Sequence, residues 1–130
     1  MPHMAMLHED DPAQKLRDAV GDISGVELFH NQVLLATYLR PTQTKGGLHL
    51  PSSHVDEDKY QSKVGLVLAV GPQAFDDPEG KWFQGVEVKV GDWVVFRPAD
   101  GWQVTVNKQP CRMLTDVGVR ARLSHPDLVY

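Results

Sequence analysis

The chain has 130 residues, a net charge of −4, 42% hydrophobic residues and 23% charged residues, which suits one globular domain with a modest core. The negative balance argues against a general nucleic-acid surface. No apolar run approaches the roughly 20 residues of a membrane-spanning helix.

Residues 1–11 are polar and irregular, and the start lacks the charged and apolar regions of a secretory signal. Asp11-Pro12 reads as an N-cap followed by proline at the first helical position, predicting a short helix to about Val20 that Gly21 stops. Leu16, Ala19 and Val20 are expected on one face. So short a helix is marginal alone and needs a surface to pack on.

From Val26 the pattern turns to β. Val26 and Leu28 alternate with Glu27, and Gln32 to Leu39 reads as a largely buried strand that Pro41 ends. Lys63 to Val70 reads as a second core strand, with Val64, Leu66, Leu68 and Val70 on one face and Gly65 marking a close approach or a bulge. Gly71-Pro72 breaks it. Asp76-Asp77-Pro78-Glu79-Gly80 is a turn signal, and Trp82 and Phe83 follow in a polar loop. Val86, Val88 and Val90 alternate, and Gly91-Asp92 makes a tight turn. Trp93 to Phe96 is a third apolar strand, and Trp102, Val104 and Val106 alternate through a fourth. A turn through Asn107 to Pro110 leads to Cys111–Leu114. Val119, Ala121 and Leu123 then alternate with Arg120 and Arg122, and Pro126 precedes a short apolar tail. Short strands, Gly/Pro-rich turns and little helix predict an all-β fold, a small barrel or sandwich.

The connection from Arg40 to Ser62 exceeds the two to five or so residues of a compact hairpin, so it reads as a binding segment or a disordered one rather than a mere link. It is polar except at Leu48-His49-Leu50, which follows Gly46-Gly47 and precedes Pro51. Two leucines on alternate positions look like a short apolar bait. The glycines free the backbone, and Pro51 biases Leu50 toward an extended conformation. The exposed aromatics expected at Trp82 and Phe83 point to contact with a partner or to packing beneath their own loop.

Nothing in the chain reads as catalytic machinery. No nucleophile–base pair, paired carboxylates or phosphate loop stands out, and Asp92 reads as a turn residue. His49, His54, Asp56, Glu57 and Asp58 match no compact metal motif, and neither do His3, His8, Glu9 and Asp10. No enzyme activity, metal or cofactor is expected. The single Cys111 excludes an intramolecular disulfide and suits a reducing cytoplasm, where it serves as inert filler.

Val64-Gly-Leu-Val-Leu-Ala-Val-Gly71 and Val88-Lys-Val-Gly-Asp-Trp-Val-Val-Phe96, with Val26 to Leu35 before them and Gly46 to Pro51 between, resemble the GroES-type co-chaperonin family over roughly residues 25–114. The resemblance implies a small Greek-key β-barrel with a long mobile loop at 40–62, a roof hairpin at 71–86 and an N-terminal extension at 1–24. It implies a homo-oligomeric ring, seven-fold in the family, that caps an ATP-dependent chaperonin. It gives Leu48 and Leu50 the role of anchors on the chaperonin's apical domains, with Gly46, Gly47, His49 and Pro51 completing the loop motif. Trp82 and Phe83 would face the central orifice or a neighbouring subunit. Three features depart from the family pattern: His49 at the centre of the tripeptide, the N-terminal extension and the closing segment from Asp116. They frame an alternative, a bacteriophage virion structural protein (capsid decoration or connector) on the same barrel. There the loop and both ends would clamp neighbouring subunits.

Overall fold

The computed structural model describes residues 11–39, 62–76 and 88–129. Helix α1 spans Pro12–Val20, and six strands follow: β1 Gln32–Thr37, β2 Val64–Val70, β3 Trp93–Val95, β4 Trp102–Val106, β5 Gln109–Thr115 and β6 Ala121–Leu123. Short 3-10 turns at Asp116–Gly118 and Pro126–Leu128 complete the set. All strand pairs are antiparallel, in the order β4-β5-β1-β2-β3-β6. β5 returns to lie beside β1, as in a Greek key. The arrangement is that of a small, mostly β barrel with one short helix.

β1 and β2 are buried on both faces, which explains their continuous apolar runs. One cluster joins Leu34, Ala36, Val64, Leu66, Leu68 and Trp93, and the other joins Val33, Leu35, Val67, Val94, Phe96 and Leu114. Gly65 is a close approach, as its sequence context suggests. A Cβ there would stand 3.0 Å from the Leu35 Cβ and 3.2 Å from the Ala36 carbonyl oxygen. The bulge lies elsewhere. Leu34 faces Ala69 and Leu35 faces Val67, so Leu68 has no opposite residue. The extra residue reverses the alternation. Val70 therefore leaves the face shared by Val64, Leu66 and Leu68 and is half-exposed, contrary to the simple period-two expectation.

Helix α1 forms as its caps predict. The Asp11 carboxylate accepts from the Ala13 N–H at 3.3 Å, and Gly21 closes the helix with φ +70°. Its buried face is Ala13, Leu16 and Val20 rather than the expected Leu16, Ala19 and Val20. Spacings of three and four run back from Val20 through Leu16 to Ala13, which leaves Ala19 on the outside. The three side chains join the first cluster. The Asn107 side-chain amide donates to the Val20 carbonyl and ties the helix end to the β4–β5 turn.

Three local expectations are corrected. Val26 to Phe29 forms no strand: Leu28 is buried, Phe29 is exposed and His30 turns the chain at φ +56° before β1. Val88 and Val90 are not in a strand. Lys89 to Asp92 instead form a turn closed by Asp92 N–H donating to the Lys89 carbonyl at 3.1 Å, with Gly91 at φ +97°. The β4–β5 turn is two residues long, Asn107 and Lys108 at φ +49° and +69°, and Gln109 and Pro110 already belong to β5. Positive φ at both positions matches the twist of the flanking strands, which a longer polar turn would not exploit.

Candidate partner-binding region

The residues singled out for partner contact, Gly46, Gly47, Leu48, His49, Leu50 and Pro51 with Trp82 and Phe83, lie outside the described residues. The framework that presents their two segments is described. The first segment leaves after Leu39, at the end of β1, and re-enters at Ser62, at the start of β2. Because β1 and β2 are antiparallel neighbours, its two roots lie side by side. The Tyr38 N–H donates to the Val64 carbonyl at 3.0 Å, and the Ser62 hydroxyl lies 3.0 Å from the Tyr38 carbonyl and 3.2 Å from that of Val64. Lys63 is fixed from the other side, its carbonyl accepting from Phe96 N–H at 2.9 Å.

The Tyr38 side chain is buried at the same place. Its ring meets that of Trp93 edge-on, centroids 5.6 Å apart, and its hydroxyl donates to the buried Asp127 carboxylate. Asp127 belongs to the 3-10 turn at Pro126–Leu128, where His125 Nδ1 accepts from the Asp127 N–H at 3.1 Å. Trp93 is thus core, whereas Trp102, on edge strand β4, is 66% exposed.

The second segment leaves after Asp76 and re-enters at Val88. Buried Asp116 organises its departure. The carboxylate accepts from the Asn31 amide at 3.1 Å and from the Phe75 N–H at 2.9 Å. Gly71 packs so closely that a Cβ would stand 2.4 Å from the His30 carbonyl oxygen. On the return side, the Asp92 carboxylate accepts from the Lys89 N–H at 2.9 Å and faces Arg122 at 3.6 Å, the work of a turn residue.

Charge is concentrated around the turn at 98–101. Arg112 is buried beneath it, donating from Nη1 to the Pro98 and Asp100 carbonyls at 2.7 and 2.8 Å, with its guanidinium 5.1 Å over the Phe96 ring. Burial pulls the Arg112 pKa down, and nearby Asp100 partly offsets this. The hydrogen bonds from Arg97 hold the Asp100 carboxyl below its ordinary range. Beside it, a concavity of about 310 Å³ is lined by Gln32, Asp100, Trp102, Met113, Val117 and Arg120. Cys111 is buried, and desolvation pushes its thiol pKa up to about 11, which leaves it protonated and unreactive at neutral pH. Among the described residues, no three His, Cys, Asp or Glu side chains gather as metal ligands, and no helix is long and apolar enough to cross a membrane.

Sequence reading did not pick out Tyr38, Asp127, Asp116 or Arg112. Asp127 left one visible signal, a carboxylate set into an otherwise apolar tail after Pro126.

Among the described residues the chain is a small, mostly β barrel in which the roots of two connections, at 39/62 and 76/88, are held by hydrogen bonds. The model of the chaperonin 10 kDa subunit family matches residues 26–121, and the chain belongs to that family. It is 34% identical over 81 residues to the co-chaperonin GroES of Methylorubrum populi, covering 62% of this chain and 78% of the relative. It is 35% identical over 79 residues to co-chaperonin GroES 1 of Rhodopseudomonas palustris, covering 61% and 74%. With the co-chaperonin GroES of Acinetobacter baumannii the identity is 29% over 101 residues, covering 78% and 98%. The family match leaves out α1 and the turn carrying Asp127.

Proposed function

We propose that this protein is a co-chaperonin: it assembles into a homo-oligomeric ring, seven-fold as in its family pattern, and caps an ATP-dependent chaperonin to enclose a folding chamber. The family match across residues 26–121 carries the reading. The paired roots at the ends of β1 and β2 support it, since they bracket the 40–61 connection that the proposal reads as the binding arm. Leu48 and Leu50 are the anchors on the apical domains, Gly46 and Gly47 give the arm its freedom, and His49 and Pro51 complete the motif. Trp82 and Phe83 face the ring's orifice or a neighbour. The mechanism is mechanical and needs no catalytic residue, metal or cofactor. Weak arms acting together give avidity through effective concentration, and the ordering entropy of each arm keeps the cap reversible. The proposed site of action is the cytoplasm, in keeping with a single cysteine that allows no intramolecular disulfide.

The virion alternative uses the long loop and both chain ends as clamps on neighbouring subunits. The buried face of α1 is instead spent on the chain's own core, which favours the co-chaperonin. Replacing Leu48 and Leu50 by serine tests the proposal. The double variant is expected to fold and assemble normally yet lose binding to a chaperonin in ADP, and unchanged binding would refute the assignment.

A further inference from the structure

One side chain connects the root of the 40–61 segment to a part of the chain beyond the family match. Tyr38 lies one residue before Leu39, where that segment departs. Its backbone N–H and carbonyl both engage the opposite root, at Val64 and Ser62. Its hydroxyl engages Asp127, six residues past the end of the matched region at residue 121. Both ends of that bond are buried, Tyr38 at 6% and Asp127 at 8% exposure, and the ring is held in place by Trp93. A hydrogen bond between two buried side chains has fixed partners and little competition from water. Val129 packs against the same apolar cluster, so the closing segment is seated by packing as well as by this bond.

We infer that Tyr38 and Asp127 are positioning residues for chaperonin capture: the C-terminal turn latches the root of the binding arm and fixes where the arm leaves the barrel. The inference rests on the co-chaperonin reading and deepens it. A departing strand held at Tyr38 fixes the point and direction from which the chain leaves the barrel, whereas one that frays does not. Pre-organisation of that kind raises effective concentration without adding a contact to the partner. The latch therefore acts through Leu48 and Leu50 and touches no partner itself.

The test uses the full chain with Tyr38→Phe, which keeps the ring on Trp93 and removes the hydroxyl, and separately Asp127→Ala. Amide exchange at Tyr38 and Val64 is read beside that at Cys111 to Leu114, a reference region in β5. Mass gives the assembly state, and dissociation from a bacterial chaperonin in ADP gives the function. The expected result is faster exchange at the two roots, unchanged β5 protection and assembly, and faster dissociation from the chaperonin than the parent shows. Unchanged root exchange in both variants overturns the latch. Faster root exchange with undiminished binding overturns the positioning role, and so does a loss of β5 protection in both variants, which would make the pair plain core. The Leu48→Ser/Leu50→Ser protein runs alongside. If it binds as well as the parent, or the parent does not bind, the co-chaperonin reading fails and the positioning role falls with it. If it alone loses binding while the Tyr38 and Asp127 variants keep theirs, only the positioning role fails.

Discussion

Leu16→Ala asks whether α1, outside the family match, is a loose arm or part of the core. Leu16 is 8% exposed and sits between Ala13 at 7% and Val20 at 1%, all in the cluster built on β1 and β2. Burying a leucine is worth about 1.5–3 kcal/mol, and an unfilled cavity raises leucine-to-alanine losses in cores to about 2–5 kcal/mol. Leu16 lies at the margin of its cluster on a single helix, so the lower half of that range applies. Alanine's slightly better helix propensity returns only a few tenths. The expected loss is about 2–3 kcal/mol, against a total of about 6–20 kcal/mol for a chain of this length. Urea unfolding followed by circular dichroism reads it as a lower midpoint at unchanged slope, and thermal unfolding as a drop of about 6–12 °C. Ala19→Ser on the exposed face serves as the control, with a change within about 0.5 kcal/mol. A loss below about 0.5 kcal/mol for Leu16→Ala would refute the packing account and return α1 to the status of an arm.

Gly101→Ala is expected to destabilise by about 3 kcal/mol or more in the same unfolding assay. It combines a left-handed φ of +68° with a Cβ placed 2.3 Å from the Met113 carbonyl oxygen. Cys111 sets an alkaline limit. Its thiol is raised from 9.0 to about 11 by burial, so the folded state holds its proton more tightly than the unfolded state. That contribution is intact below pH 9 and is lost as pH rises toward 11. Stability measured across this window should fall less steeply for Cys111→Ala than for the parent, and equal slopes would show that the thiol is not what titrates.

The sequence carried the fold in the features that are local. Asp11-Pro12 and Gly21 bound the helix, the apolar runs at 33–39 and 64–70 became the two central strands, and Gly65 marked a close approach. What it hid depends on register and long range. Nothing in Leu66-Val67-Leu68 announces that Leu68 is the bulged residue, yet that one insertion moves Val70 to the opposite face. Asn107-Lys108 lacks the usual Asn-Gly signature, so the two-residue turn could not be told from a longer one. The Tyr38–Asp127 and Asn31–Asp116 pairs span 89 and 85 residues, a separation at which no pattern within one stretch of chain speaks. The proposed binding motif at 46–51 rests on sequence chemistry alone, a pair of leucines in a polar segment outside the described residues. Its framework, the paired roots and the buried tyrosine behind them, was not legible in the sequence.

Native mass spectrometry of the purified protein, alone and then with a bacterial chaperonin and ADP, bears most directly on the co-chaperonin assignment. The account predicts a seven-subunit species that adds as a unit to the chaperonin. A monomer, or an assembly that leaves the chaperonin untouched, would contradict it.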